Sequence, residues 1–310
     1  MAENIYYNQA QKERFLASID PNQYPQNYWH RIFMQYKTVE ENKQKDLYNF
    51  TKPDIFEAHK FQNYMSYETL LVNNINLKNY TTWAQQNFLV DDGMNHYDDF
   101  TPEELFSCVN QLQLKSSIIT REDLLKRIKS LQNPRDSFIL LAIFEGIRGA
   151  ACSDLIELKI EDVDATNNTM RLQSGQVRPV SAELVHYAQW ANKITTYIRG
   201  DDVEYRLAGD KIIKTVVLGK YSGDDSIHRG VLQKIIMRIL KEIGLEGKIS
   251  INSLWMSGAI DALNRIAESN GVTAKEAMYT PELWDEFHEL YPIPINTRKR
   301  FLMKYEDFLK

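Results

Sequence analysis

The sequence predicts a mainly α-helical chain with one small β-sheet, arranged as two domains. Three observations carry that reading. The 310 residues exceed the usual size of a single domain. Apolar residues recur at helical spacing through most of the chain. After about residue 160 the period shortens to that of strands, where VDATNNTMRLQSGQVRPVSAEL turns at Ser174-Gly175, and helical spacing then resumes.

In chain order, residues 1–50 are rich in Asn, Gln and Tyr, and DPNQYPQN (20–27) breaks any early helix ahead of one in YWHRIFMQYKTVEEN. From 54 to 90, FEAHKFQNYMSYETLLV and NYTTWAQQNFLV read as helices joined by the loop NNINLKN. The acidic loop DDGMNHYDDF ends at a start signal: Thr101 as N-cap, Pro102 at the first helical position and Glu104 completing a capping box. A helix over 102–112 closes the first domain, 1–114, and QLKSSII is a linker. The second domain, 120–310, opens where Thr120 caps REDLLKRIKSLQ, with Leu124, Leu125, Ile128 and Leu131 on its inner face. SFILLAIFEGI (137–147) is apolar nearly all round and predicts a central buried helix; another covers about 151–158. Past the strands, Ser181 caps AELVHYAQWANKITTYI, read as one helix, and KTVVLG follows as a strand. HRGVLQKIIMRILKEIG sets Val231, Leu232, Ile235, Ile236, Ile239, Leu240 and Ile243 on one face, Lys234, Arg238 and Lys241 on the other, and Gly244 as a stop. The last hundred residues are mainly helical.

Composition narrows the function classes. The charged fraction is 25%, no run of about 18 apolar residues occurs, and MAENIYYNQAQKERF lacks the basic-then-apolar order of a signal peptide. These features predict a cytoplasmic protein with no membrane role. Cys108 and Cys152 are too few for a disulfide framework or a multi-thiolate zinc site, and the six histidines form no HxxxH pair, so no metal or other cofactor is expected. A net charge of −5 at first counts against nucleic acid, since phosphate contacts need Lys and Arg. The charge is segregated, however. Residues 115–135 hold six basic side chains against two acidic, 211–248 hold eight against four, and Arg298, Lys299, Arg300 and Lys304 have no acid among them. Such windows permit a basic face on an acidic protein.

The order of elements, and the residues at their joints, resemble the tyrosine recombinase or phage integrase family over about 54–310. The most specific stretch is SFILLAIFEGIRGAACSDLIELKIEDVD, where the family has a buried helix, a Gly and catalytic Arg at its end, and an acidic helix of the form SELxxLxxxDID. MRLQSGQVRPVSAEL is similar to the family's strand, K-T-G turn, strand, Arg and helix cap, and GKISINSLWMSGAIDAL lies where the family has its H-x-L-R-H box. The resemblance implies a helical core-binding-like domain followed by a recombinase catalytic-like domain.

Family enzymes attack a DNA phosphodiester with a Tyr, while two Arg, a hairpin Lys and His or Trp residues stabilise the phosphate and protonate the leaving oxygen. The matching positions here differ. Arg148 is the first-Arg candidate, but it stands three residues further from SDLIEL than the family spacing, which makes Ala151 its rival for that position. Gln173 replaces the hairpin Lys, Asn252 the first His, Trp255 the second Arg and Met256 the following His. Nine residues beyond His288 stands Thr297, and Tyr291 and Tyr305 are the nearby tyrosines.

No residue is therefore expected to act catalytically. The chain reads as a sequence-specific DNA-binding protein, a phage or prophage repressor maintaining lysogeny, similar to the use of this fold by lysogeny repressors of SPβ-like phages. An active recombinase with displaced residues is the alternative, and an interaction protein that kept the fold but lost DNA is a third reading. Expected DNA contacts are Arg148 and Arg178 at the joints, Lys220, His228 and Arg229 around the loop before the basic helix, Lys234 and Arg238 on that helix, and Arg298, Lys299 and Arg300. A salt bridge to Asp154 or Glu145 is the structural alternative for Arg148, and a core position is expected for Trp255. The expected partners are double-stranded DNA at operator sites, a further copy of the chain, and a regulatory phage protein or peptide.

Overall fold

Aromatic side chains organise the first part of the chain. Phe15 of α1 (Gln9–Ser18) packs edge-on against Trp29, Phe33 and Tyr80. Those rings belong to α2 (Gln26–Lys43) and, beyond α3 (Lys52–Phe61), to α4 (Tyr67–Gln86), and all four are buried. One charged cluster lies among them: Lys12 Nζ sits 2.6 Å from Glu40 and 3.3 Å from Asp46, with all three side chains out of solvent. Burial raises the Glu40 carboxyl to about 8, outweighing the pull of Lys12 in the opposite direction. The structure, a computed structural model, describes residues 5–20, 26–200, 203–217 and 227–310.

Several boundaries in this part differ from the sequence reading. NNINLKN is not a loop, because α4 runs through it. Asn73, Asn74 and Asn76 are buried and find partners: Asn73 donates to Tyr64 Oη at 2.7 Å, Asn74 to the Tyr97 carbonyl at 3.3 Å and Asn76 to the Val72 carbonyl at 2.7 Å. A polar run signals a loop only when its side chains are solvated. FEAHKFQNYMSYETLLV, conversely, is broken where Asn63 adopts a left-handed φ of 52° and Ser66 caps α4 by accepting from the Thr69 amide. The Thr101 capping box forms, with the Thr101 amide donating to Glu104 at 2.9 Å and the Glu104 amide to Thr101 Oγ1 at 3.2 Å. The helix it starts, α5 (Pro102–Ser107), is shorter than expected, and α6 (Gln111–Ser116) occupies much of the expected linker. The chain divides there into two compact units, Met1–Lys115 and Ser116–Lys310.

In the second unit, Thr120 caps α7 (Arg121–Ile128) by accepting from the Asp123 amide. α8 (Pro134–Phe144) is buried at every residue, as its all-round apolarity predicts. A short α9 (Ser153–Glu157) leads into an antiparallel sheet of β1 (Val163–Asp164), β2 (Thr169–Arg171) and β3 (Val177–Pro179), with Met170 opposite Arg178 and Gly175 turning at φ 83°.

α10 (Ala182–Lys193) is capped by Ser181 as expected but ends before ITTYI, which supplies β4 (Thr196–Arg199) of a second sheet with β5 (Val203–Ala208) and β6 (Thr215–Val216). The β-branched run disfavours helix, and Asn133 pairs with Ile198 like a neighbouring strand, donating to its carbonyl at 2.8 Å and accepting from its amide at 2.9 Å. The expected strand KTVVLG thus contributes β6, while Leu218 and Gly219 lie outside the described residues.

α11 (Arg229–Glu242) buries Leu232, Ile236, Ile239 and Leu240 and ends before Gly244 at φ 72°. Val231, expected inside, is 49% exposed because it sits at the edge of the apolar arc. α12 (Ile251–Ser269), α13 (Ala274–Tyr279), α14 (Pro281–Leu290) and α15 (Arg298–Tyr305) complete the unit. Among the described residues no helix is long and apolar enough to cross a membrane.

Candidate nucleic-acid interface

The joint that follows α8 places Arg148. Gly146 takes φ 82° there, and a Cβ on it would come within 2.8 Å of the Leu290 carbonyl and 2.9 Å of Arg178, so glycine is required on both counts. Gly149 at φ 68° and then Ala151 and Cys152 at φ 55° and 68° complete an irregular turn before α9. This turn is the extra length that separates Arg148 from SDLIEL.

Across from it, Ser250 and Ser253 form a capping box that starts α12 and fixes Asn252 and Trp255 in its first turns. Arg148 Nη1 donates to Asn252 Oδ1 at 2.8 Å, and its guanidinium carbon lies 5.2 Å from the centre of the Trp255 ring. Trp255 packs against the core and meets Tyr291 edge-on at 5.3 Å. Arg148 pairs with neither Asp154 nor Glu145 among the described residues. Glu145 instead accepts from Arg121 at 2.8 Å and from the Ser181 amide at 2.8 Å. The family positions read from sequence therefore do meet: Arg148, Asn252 and Trp255 form one constellation, with a single guanidinium as its cation.

The crossing of α8 and α12 sets this spacing. At Gly258 a Cβ would fall 1.6 Å from the Phe144 carbonyl oxygen. Tyr291 Oη donates to that same carbonyl, and burial pushes its phenol far above the usual range. Tyr305 is also buried, packed on Phe301 at 5.2 Å.

The other expected contacts scatter. Arg178 is 5% exposed, donating Nη1 to the Gly146 carbonyl and Nη2 to the Glu289 carbonyl, each at 2.8 Å. It pins β3 to the Arg148 joint and has both terminal nitrogens occupied, so the expected phosphate contact gives way to a structural clamp. Arg229 is exposed in the first turn of α11, and burial raises the pKa of the Cys152 thiol despite the opposite pull of Arg148 and Arg229. His228 is exposed at the N-cap of α11, and Lys220 lies outside the described residues.

Lys234 is exposed, whereas Arg238 is tethered: its Nη2 lies 3.0 Å from Asp136, which also accepts from Tyr197 Oη at 2.6 Å. Arg298 stacks 4.5 Å over Trp284, and Lys299 and Arg300 are exposed beside it. Gln173 is exposed at the hairpin. Sequence reasoning missed Arg121 and Arg265, which line a cleft of about 330 Å³ with Glu145, Ser181 and Tyr291. Arg121 stood in a basic window, but nothing in the sequence pairs it with Arg265.

Residues 118–288 match the family model described as MrpR, C-terminal catalytic domain, and residues 6–86 match MrpR, N-terminal core-binding domain. Among curated proteins the chain is similar to the SPbeta prophage-derived uncharacterized protein YopR of Bacillus subtilis (strain 168), 23% identical over 98% of this chain and 94% of that protein. Among solved structures it overlays a lambda integrase dimer bound to a COC′ core site at 14% identity and TM-score 0.46, covering 94% of each chain. XerA recombinase overlays at 13% identity and TM-score 0.40, over 94% of this chain and 92% of that one.

Proposed function

This chain belongs to the MrpR family, with a core-binding domain and an integrase-like catalytic domain, and from that premise we propose that it is a sequence-specific DNA-binding protein without recombinase activity. It acts in the cytoplasm as a phage or prophage repressor that maintains lysogeny. The observation that carries the reading is the Arg148 constellation. A cation is held partly exposed by a hydrogen bond and a ring, where an integrase-like fold handles phosphate. One N–H of Arg148 is taken by Asn252, and others can reach a phosphate oxygen. His228, Lys299 and Arg300 are exposed and supply further candidate contacts to the backbone. The prophage origin of the relative YopR supports the lysogeny role.

Three features support loss of chemistry. Trp255 offers no second bidentate clamp, Gln173 cannot serve as a cationic acid, and both nearby tyrosines are buried. Selection of fragments bound from the genome that carries this chain tests the assignment. Repeated sites upstream of genes are expected. Recovery of an attachment-site core would favour recombination, and recovery of no specific fragment would favour the reading that DNA binding has been lost.

A further inference from the structure

Phe88 sits where a phenylalanine has little reason to be. Helix α4 ends in a tight turn in which the Leu89 amide donates to the Ala84 carbonyl and the Phe88 amide to the Gln85 carbonyl, each at 3.0 Å. The turn requires left-handed backbone at Phe88, φ 56°, a position that glycine or asparagine ordinarily fills. The side chain is 96% exposed, so burial offsets none of the strain. Single exposed apolar residues are ordinary, but a strained one wholly in water points to a use.

Met94, 55% exposed, stands in the loop that follows. That loop is firmly held: Gln85 donates to the Gly93 carbonyl at 2.8 Å, the Asp91 amide to Asn49 at 3.0 Å, and Asp92 and Asp99 grip His96 from opposite ring nitrogens, each at 2.8 Å. The result is an aromatic and a thioether presented among Asp91, Asp92, Asp98 and Asp99. Asp98 is paired with Lys78 and His96 lies between Asp92 and Asp99, but four carboxylates against those two bases leave the loop net acidic, which repels a phosphate backbone and suits an apolar surface bordered by cations.

The second unit has such a surface. On the outward face of α11, Val231 (49% exposed) and Met237 (44%) border Lys234 and Lys241 within an arc of about 120°. We propose that copies of this chain associate head to tail, the Phe88–Met94 loop of one seating on the Val231, Lys234, Met237 and Lys241 face of the next. The two surfaces differ, so a dimer keeps one of each unused, and association can propagate beyond it. Lys234 thereby contacts protein rather than phosphate, and the association needs no DNA.

The test is light scattering or sedimentation of the full chain without DNA, from about 1 to about 100 µM, the range of weak specific interfaces. Mean mass should rise with concentration and fall back as salt is added. Phe88→Ser, and separately the double change Lys234→Glu with Met237→Ser, should each weaken association about thirtyfold or more, as loss of an anchor does. All three positions are exposed, and unchanged circular dichroism verifies the folds. Mixing the two variants should restore a one-to-one dimer and nothing larger, because each retains one intact surface. A wild type monomeric throughout, variants that associate normally, or a mixture that stays monomeric would each overturn the proposal.

Discussion

Replacing Gly258 with alanine should destabilise the second unit, although alanine is the better helix former by about 1 kcal/mol. Its Cβ would lie 1.6 Å from the Phe144 carbonyl oxygen and 2.6 Å from Tyr291 Oη. An ordinary contact is about 3.5 Å, so α12 must retreat from α8 by nearly 2 Å. Overpacking of that kind costs about 1–3 kcal/mol, and losing the Tyr291 to Phe144 hydrogen bond leaves a buried carbonyl unpaired at about 1–3 kcal/mol more. Subtracting the propensity gain leaves a net loss of about 1–5 kcal/mol. Because the chain has two units, hydrogen exchange read separately on α8 and α12 is the appropriate assay, with protection falling there and not in α4. DNA affinity should fall too, since the same crossing spaces Arg148 from Asn252. An unchanged or more stable Gly258→Ala protein would refute the close crossing.

Other consequences concern Arg178, Glu40 and the tyrosines. Arg178→Ala should cost about 1–3 kcal/mol of stability by removing two charge-assisted hydrogen bonds that tie β3 to the Arg148 joint, although the Gly146 carbonyl keeps the Arg148 amide and the Glu289 carbonyl keeps Gln176. If thermal denaturation is unchanged while DNA affinity drops, Arg178 is a phosphate contact after all. Glu40 is raised from 4.5 to about 8 in the fold, so the folded state holds a proton that the unfolded chain has released between those values. Stability of the first unit should therefore decline as pH rises through that window, by up to about 1.4 kcal/mol per unit, and Glu40→Gln should flatten the decline. A pH-independent wild type would contradict the buried Lys12, Glu40 and Asp46 cluster. On a nicked duplex, denaturing gels should show no covalent adduct; an adduct abolished by Tyr291→Phe or Tyr305→Phe would establish a nucleophile.

Much of the fold was legible because apolar period and caps are local signals. Thr101, Thr120 and Ser181 each cap the helix the sequence assigns to them. Failures arose where a tertiary partner overrode a local signal. Asn73, Asn74 and Asn76 read as loop residues because their buried acceptors lie in Tyr97 or on α4 itself and nearby, and ITTYI read as helix because Asn133, which pairs with it, is over sixty residues away.

The candidate site divides in the same way. The resemblance located Arg148, Asn252 and Trp255, which do converge. It also assigned Arg178 to phosphate, because sequence carries no measure of burial. Charge counting likewise could not separate Arg238, tied to Asp136, from its exposed neighbour Lys234.

DNA affinity of wild type and Arg148→Ala, measured by fluorescence anisotropy on a selected fragment across a salt series, tests the DNA-binding assignment most directly. The wild type should form a specific, salt-sensitive complex. Arg148→Ala should bind all sequences more weakly and show a log affinity against log salt slope shallower by about 0.9, one phosphate contact fewer. Equal slopes and affinities, or no specific complex at any salt concentration, would contradict it.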